Sequence, residues 1–326
     1  MRTMALTVLA EVNPGAVFPG VQDTAFGSDL VRFLDPDEVH ATCFDFGLQR
    51  GDGIFEATEV NTGVALAQHL HLHRLARSAR IVGLPDVDEG AWAEAVEAVV
   101  QSYDAPNPGL LKIMVTRGQD GHSNPGRRIG EGIPSAWIYV DEKLPQDAGP
   151  SQITTVTMSR EITRTSAVDA PWLLLGAKTL SYAMNMAIER EVARRGVDQA
   201  ILTTLDGFVL EGSRKSVVLR TGDRLVTPDP RIGILHGTSQ QEFFAFAASQ
   251  GLEVGYADVT VEELHQADQI WMGSSSTMQS VVELDGARVD TDVEFTRAAN
   301  EYVRTQREAV DAWTATAPSP FTSPLP

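Results

Sequence analysis

Residues 173–185, LLLGAKTLSYAMN, place a lysine after three leucines and ahead of a helix-like run. Burying an ammonium group costs free energy unless the group is paired or its pKa falls. The chain has only four lysines, and arginine, which cannot lose its proton, supplies most of its positive charge. We therefore expect apolar surroundings to lower the pKa of Lys178 so that its amine can form a Schiff base. The alternative is a lysine that reaches solvent from a helix N-terminus.

Composition excludes several classes of protein. A chain of 326 residues with 43% hydrophobic and 21% charged residues is typical of a globular protein with two domains. The formal charge of −18 argues against a nucleic-acid or anionic-membrane partner. Cys43 is the only cysteine, which excludes an internal disulfide and favours a cytoplasmic location. The apolar N-terminal run is too short to span a membrane.

Alternating strand-like and helix-like runs predict an α/β protein of two domains. Residues 1–145 form the smaller N-terminal α/β domain, which ends in the polar stretch KLPQDAGPSQ. Residues 146–313 form a larger C-terminal domain with a β-meander from AILTTL to RLVTP, turning at DG and TGD, and a single last helix. Residues 314–326 lack apolar periodicity, so we expect a disordered tail.

Three histidines alternate in HLHLHRLARSAR, at His69, His71 and His73. On a strand they would share one face and could bind a metal ion. Leu72 and Leu75 instead follow a helical period, which would scatter the histidines around a helix. A metal site is therefore the weaker interpretation.

Arg74, Arg77 and Arg80 follow in the same run. They form either a solvated basic face or, where one points inward, a strong site for a phosphate group. The sequence alone leaves both interpretations open.

Two small-residue loops are candidate anion sites. GILHGTSQQ places Thr238 and Ser239 at a helix start, where backbone N–H groups favour an anion. Ser239 and Glu242 also match a simple capping box. MGSSSTMQS places hydroxyl groups at residues 274–277 after a strand. In DGFVLEGS, Glu211 ends a hairpin strand and is either a salt-bridge partner or the partner of a protonated pyridine nitrogen.

Together these motifs resemble the fold-type IV pyridoxal-phosphate enzymes, which include branched-chain and D-amino acid aminotransferases, (R)-amine transaminases and aminodeoxychorismate lyase. The resemblance extends from about Phe44 to Gly286. It rests on RGDGIFEATEV, HLHRLARSA, GAKTLSYAMNMA, DGFVLEGSRKSVV, LVTPDPRIGILHGTSQ and VTVEELHQADQIWMGSSSTMQSVVELDG. It implies a pseudo-barrel in the C-terminal domain, pyridoxal 5'-phosphate (PLP) as cofactor, a small-molecule amine substrate and a homodimer.

The resemblance also implies residue roles. Lys178 is similar to the lysine that forms the Schiff base and transfers protons, and Glu211 to the partner of the pyridine nitrogen. Tyr182 falls near a tyrosine that contacts the phenolic oxygen of the cofactor.

The remaining implied roles concern the phosphate group and the substrate. Arg74 resembles the phosphate-binding arginine, assisted by Thr238, Ser239 and Ser274. Ser275 is placed to contact a substrate carboxylate.

The chain departs from the family pattern at Ser216, where asparagine is usual, and at Gln240, where arginine is common. PWLLLGAKTLSYAMNMA and GILHGTSQ are most similar to the aminodeoxychorismate lyase branch. The resemblance thus implies a lyase that forms 4-aminobenzoate and pyruvate, with an aminotransferase as the alternative. A non-enzymatic PLP- or anion-binding protein and a metal enzyme are further alternatives. Candidate partners for substrate carboxylates are Arg50, Arg117, His122, Arg164 and Arg214.

Overall fold

The computed structural model describes residues 7–23, 26–41, 43–119, 132–143 and 151–321. The chain divides into two compact units. The first contains Met1–Ala148 together with Ala177–Tyr182, and the second contains Gly149–Gly176 and Ala183–Pro326. The segment around Lys178 therefore belongs with the N-terminal unit, whereas the sequence placed it within residues 146–313. The reason is that this segment hydrogen-bonds to a strand of the first unit.

The first unit is an antiparallel sheet with helices packed on one face. Its described elements are β1 (Thr7–Val12), α1 (Pro14–Val17), β2 (Val31–Leu34), α2 (Phe46–Arg50), β3 (Gly53–Asn61), β4 (Val64–Ala65), α3 (Gln68–Val82), α4 (Glu89–Gln101), β5 (Gly109–Thr116) and β6 (Ser135–Glu142). The strand order is β2-β1-β6-β5-β3-β4. Alternation along β3 and β5 turns one set of side chains toward the helices and leaves the other set on the opposite face.

Helices α3 and α4 supply the core of the first unit. Asp88 caps α4 by accepting hydrogen bonds from the backbone N–H groups of its first turn. Trp92, Val96 and Val99 form an apolar face of α4 that is buried. The segment VALAQHL is divided between β4, which ends at Ala65, and α3, which begins at Gln68.

The second unit is built on a mixed sheet of nine described strands. Its described elements are β7 (Gln152–Ser159), α5 (Ser166–Asp169), a 3-10 turn (Pro171–Leu173), α6 (Ala183–Arg195), β8 (Gln199–Thr203), β9 (Val209–Gly212), β10 (Ser216–Thr221), β11 (Arg224–Pro228), a 3-10 turn (Pro230–Ile232), α7 (Thr238–Ser249), β12 (Glu253–Ala257), α8 (Val261–Gln266), β13 (Gln269–Ser274), β14 (Thr277–Leu284), β15 (Ala287–Arg288), α9 (Val293–Thr305) and α10 (Arg307–Thr316). The strand order is β12-β11-β10-β13-β14-β7-β8-β9, with β15 paired to β14.

The predicted β-meander forms as two separate hairpins. Strand β8 pairs with β9, and β10 pairs with β11. Strand β9 ends the sheet order and β10 lies beside β13, so no ladder pairs these two described strands. Residues 213–215 nevertheless join them directly, and Gly212 N donates to Lys215 O at 2.7 Å across this connection. The first hairpin turns at Asp206-Gly207, where Gly207 has a φ of 87° that favours glycine.

The C-terminal region differs from the sequence prediction. The single predicted helix is two helices, α9 and α10, which separate at Gln306. Thr314–Thr316, in the segment predicted to be disordered, belong to α10. Val310 and Thr314 are buried, and Trp313 packs on the apolar core formed with α7, which explains why the helix continues. No helix in the described ranges is long and apolar enough to cross a membrane.

Candidate active site

The lysine segment is held against the edge of β3 by backbone hydrogen bonds. Phe55 N donates to Lys178 O at 2.9 Å, and Leu180 N donates to Gly53 O at 2.8 Å. Lys178 N donates to the buried Ser78 hydroxyl on α3 at 3.1 Å. Helix α6 begins only at Ala183, so the alternative of a lysine at a helix N-terminus was wrong. Backbone contacts on both sides of Lys178 instead fix where its side chain begins.

Three side chains with polar groups lie around the Phe55 ring. Lys178 Nζ lies 4.4 Å from the ring centroid, and the Tyr182 ring meets it edge-on at 5.4 Å between centroids. Lys112 Nζ, from β5, lies 4.9 Å from the same centroid. Cation–π attraction holds both ammonium groups near the ring. The structure thus places Lys178, Tyr182 and Lys112 around one aromatic ring.

The three leucines before Lys178 do not form a buried pocket around it. Leu173 and Leu174 are exposed, and Trp172, just before them, is 75% exposed. The 3-10 turn at Pro171–Leu173 directs this run to the surface of the second unit. The apolar contact shown for the Lys178 amine is with Phe55 instead.

Arg74 belongs to a buried charged cluster. It is 8% exposed and forms a bidentate pair with Glu56, with Nε–Oε1 at 2.8 Å and a second contact to Oε2 at 2.7 Å. His71 Nδ1 lies 2.7 Å from the same Oε2 atom. Burial alone would raise the pKa of Glu56, but the Arg74 guanidinium and His71 outweigh it and hold the pKa at about 2. Arg74 is therefore the inward arginine of α3, in a fixed orientation.

The histidines do not form a metal site. All three lie on α3, where His71 is buried against Glu56 and His73 is exposed, 3.5 Å from Glu89. Burial lowers the pKa of His71, although the Glu56 carboxylate opposes this. Within the described ranges, no group of three potential metal ligands is present.

Helix α7 and the β13–β14 turn form a second polar cluster. Thr238 and Ser239 are buried in the first turn of α7, and Ser239 Oγ accepts a hydrogen bond from Ser276 N at 2.9 Å. Ser274 pairs with Thr277, so Ser275 and Ser276 form a two-residue turn with φ angles of 52° and 56°. Such backbone strain in residues other than glycine often marks a functional position.

The capping box predicted for Ser239 and Glu242 was wrong. Gly237 is the N-cap, no side chain caps α7, and Glu242 pairs with Arg307 instead. A glycine is required at 237 because a Cβ atom there would collide with the Ser216 side chain. Ser216 and the buried Gln240, the two departures from the family pattern, thus lie beside the start of α7.

Glu211 lies at the end of β9, half-buried, where Oε2 accepts a hydrogen bond from Leu235 N at 3.2 Å. Ser274 is half-buried and Ser275 is exposed in the turn described above. Arg74, Lys178 and Tyr182 belong to the first unit, and the other predicted site residues belong to the second.

Three of the candidate carboxylate partners are engaged in ion pairs. Arg117 binds Asp52 at 2.7 Å and two backbone carbonyls, Arg164 pairs with Asp258, and Arg214 pairs with Glu189 at 2.9 Å. Arg50 is exposed, and His122 lies outside the described residues.

Sequence reasoning missed Lys112. Its side chain is half-buried, and burial lowers its pKa. None of the described carboxylates forms an ion pair with it, whereas Lys143 pairs with Glu59 at 2.9 Å. The signal was its position in LLKIMVT: Lys112 alternates with buried Leu111 and Ile113, which places it on the sheet face opposite the helices.

Comparison with known proteins agrees with this geometry. Residues 53–284 match the family model for class IV amino-transferases. A bifunctional aminodeoxychorismate lyase / D-amino acid transaminase from Mycobacterium tuberculosis is 37% identical over 75% of this chain and 86% of its own length. A fold IV-transaminase from Curtobacterium pusillum superposes with a TM-score of 0.83 at 34% identity, covering 93% of this chain and 99% of that one. A PLP-bound hypothetical aminotransferase from M. tuberculosis gives a TM-score of 0.76 at 30% identity, covering 92% and 99%. The chain therefore belongs to the class IV aminotransferase family and has its fold-type IV architecture.

Proposed function

We propose that this PLP-dependent enzyme is a 4-amino-4-deoxychorismate lyase, which forms 4-aminobenzoate and pyruvate. Family membership makes it a PLP enzyme that acts on a small-molecule amine. The observation that carries the finer proposal is the half-buried Lys112, which shares the Phe55 ring with Lys178 and has no described carboxylate partner. A cation in this position suits a substrate with an additional anionic group.

The donor groups of the described residues fit PLP. A primary amine lies against an aromatic ring at Lys178, and a guanidinium is locked by a carboxylate at Arg74. We assign Arg74, Thr238, Ser239 and Ser274 to the phosphate group. Glu211 is assigned to the pyridine nitrogen, and Tyr182 to the phenolic oxygen. When bound, PLP acts as an electron sink for negative charge on the amine-bearing carbon of the substrate.

Lys178 is assigned the proton transfers. Its amine takes the proton from the amine-bearing ring carbon of the substrate, the ring C–O bond of the enolpyruvyl ether breaks, and the ring becomes aromatic. The proton held by Lys178 is then returned to the departing enolpyruvate, which becomes pyruvate. The backbone bonds to Ser78 and Phe55 keep Lys178 in place for this step. An aminotransferase would use the same lysine to move the proton to the cofactor, so Lys178 alone does not separate the two activities.

Lys112 supports the lyase proposal, because the substrates of the two activities differ in charge. Aminodeoxychorismate carries two carboxylates, whereas D-alanine carries one. Burial lowers the pKa of Lys112, which means that the folded protein disfavours its charge until an anion approaches. A substrate carboxylate would supply that anion, and Ser275 is proposed for the other carboxylate.

D-amino acid transamination is the second candidate activity. The M. tuberculosis relative is named for both a lyase and a D-amino acid transaminase activity. An enzyme of this kind would process both substrates, with Lys112 serving mainly the dicarboxylate.

The test incubates the holoenzyme with aminodeoxychorismate and no keto acid, and separately with D-alanine and 2-oxobutyrate, a keto acid with a single carboxylate. We expect 4-aminobenzoate and pyruvate from the first mixture. Lys112→Met should raise KM for aminodeoxychorismate by about tenfold or more and change KM for D-alanine little, because only one substrate loses an ion pair. Lys143→Met, at a partly exposed pair, is the matched control. Transamination alone, without aromatic product, would assign the enzyme to the aminotransferases. Lys178→Ala should abolish both activities.

We also propose a homodimer in the cytoplasm. Val168, Trp172, Leu173 and Leu174 form an exposed apolar run on the second unit. Such a surface is typical of a protein interface, and a second copy of this chain is the proposed occupant. Sedimentation should give a dimer, and Trp172→Glu should shift it toward monomer. A monomeric wild-type protein would contradict this assignment.

A further inference from the structure

A buried ion pair joins the C-terminal helix to α7. Glu242 is 0% exposed, and its Oε1 atom accepts a hydrogen bond from the Arg307 guanidinium at 2.6 Å. Its Oε2 atom is buried without a close hydrogen-bond partner among the described residues. Arg307 also bonds Asp311 at 2.9 Å and the Val303 carbonyl, both within the C-terminal helices.

The Arg307–Glu242 pair lies at the second turn of α7, just after the residues that begin the helix. Glu242 follows Ser239 by three positions and Thr238 by four, so all three residues share one side of the helix. The Ser276 side chain is a polar neighbour of the Glu242 carboxyl group, while Ser276 N binds Ser239 Oγ. The Arg307–Glu242 ion pair and the hydrogen bond from Ser276 N to Ser239 Oγ thus lie within one turn of each other along α7.

The negative charge of Glu242 lies close to the N-terminus of α7, which is assigned to the phosphate group. A helix N-terminus attracts a phosphate group through its dipole and its backbone N–H groups. A buried carboxylate one turn below would oppose this attraction, because charges interact strongly where water is excluded. Arg307 supplies the compensating charge, and it lies beyond residue 284, where the match to the family model ends.

We propose that Arg307 and Glu242 are positioning residues that set the affinity of the α7 N-terminus for the cofactor phosphate. Arg307 neutralises Glu242, so that only the helix and the hydroxyl groups of Thr238 and Ser239 act on the phosphate. This inference rests on the proposed function, since it presumes that those two residues bind the phosphate group. The C-terminal helix α10 thereby contributes to cofactor affinity without touching the cofactor.

The experiment uses the full-length chain dialysed free of cofactor. The dissociation constants of PLP and of pyridoxal, which lacks the phosphate, are measured by visible absorbance. The ratio of the dissociation constant of pyridoxal to that of PLP reports how much the phosphate group strengthens binding. A general loss of packing raises both dissociation constants alike and leaves this ratio unchanged. Arg307→Met should lower this ratio by about tenfold because it leaves Glu242 unneutralised. Glu242→Gln should raise the ratio above that of the wild type, because Arg307 then acts on the phosphate unopposed.

The double variant Arg307→Met/Glu242→Gln should return the ratio close to the wild-type value. Arg297→Met, at an exposed position on α9, is the matched control. An unchanged ratio in Glu242→Gln would overturn the proposal even if Arg307→Met does not fold. An equal loss in Arg307→Met and the double variant would also overturn it, since a structural role of α10 then suffices. Ser239→Ala tests the underlying assignment separately: an unchanged ratio there would remove Ser239 from the phosphate site.

Discussion

Two buried carboxyl groups in this protein face an arginine, and their pKa values shift in opposite directions. Glu56, in the first unit, pairs with Arg74 through both oxygens and has His71 as a further partner. Glu242, in the second unit, meets Arg307 through one oxygen. Burial raises the pKa of both groups, but the partners of Glu56 hold its pKa at about 2, whereas the pKa of Glu242 stays above its usual range.

The comparison shows that the number of donors, more than the presence of an arginine, decides whether a buried carboxylate is favoured. Each oxygen removed from water needs a replacement hydrogen bond. The Glu56 carboxylate accepts three hydrogen bonds, from Arg74 and His71, and these stabilise its ionised form. Glu242 has one close hydrogen bond and is a poorer carboxylate in the folded state than in water.

The largest expected difference is in folding stability. Glu56→Gln should lower the free energy of unfolding by about 3 kcal/mol, because an amide presents a donor where Arg74 and His71 require an acceptor. Glu242→Gln should cost less than about 1 kcal/mol, because its ionised form is already disfavoured. Urea unfolding of both variants measures this. Glu89→Gln, at the exposed pair with His73, is the control. Equal losses in the two variants would remove the distinction between the two pairs.

The second prediction concerns acid. The pKa of Glu56 is about 2 in the folded protein against an ordinary 4.5, so its stabilisation is complete above pH 4.5 and is lost as the pH falls toward 2. The loss should amount to about 3 kcal/mol of unfolding free energy. The raised pKa of Glu242 has the opposite sign, and its contribution is lost as the pH rises. A plot of the free energy of unfolding against pH should therefore be flatter between pH 4.5 and 2 for Glu56→Gln than for the wild type. Parallel curves would show that Glu56 does not titrate this way.

The third prediction tests whether the geometry of Arg74 matters beyond its charge. Arg74→Lys keeps the positive charge but cannot form the fork with Glu56 that orients the guanidinium. PLP affinity should fall by about tenfold, while turnover of the saturated enzyme changes less, since phosphate binding is used equally before and during the reaction. Cofactor titration measures the effect, with the exposed Arg80→Lys on the same helix as control. An unchanged dissociation constant would withdraw Arg74 from the phosphate site.

The smallest effect is expected at His71. His71→Phe removes one hydrogen bond to Glu56 but leaves the bidentate contact with Arg74, so the free energy of unfolding should fall by about 1 kcal/mol. The acid transition of Glu56 should move toward its ordinary pKa. A loss as large as that of Glu56→Gln would mean that His71, and not Arg74, is the main partner of this carboxylate.

The sequence by itself determined the family, the two-domain α/β class and much of the local structure. The helical period of Leu72 and Leu75 predicted helix α3 but left open whether Arg74 points inward, and the motif around Lys178 singled out that lysine as the candidate for the Schiff base. These features depend on residues close in sequence, where periodicity and motif spacing carry the information.

Only the tertiary structure decided which charges meet. Glu56 and Arg74 are 18 residues apart, Glu242 and Arg307 are 65 apart, and Lys112 reaches Phe55 from a neighbouring strand. Alternation in GIFEATEV places Glu56 on the same side as Ile54, which signals a buried acid but not its partner. Local sequence patterns also failed to predict that the leucines before Lys178 are exposed and that β9 pairs with β8 but not with β10. The physical reason is that burial and ion pairing are set by chain packing, whereas sequence patterns report only what one element presents on each of its faces.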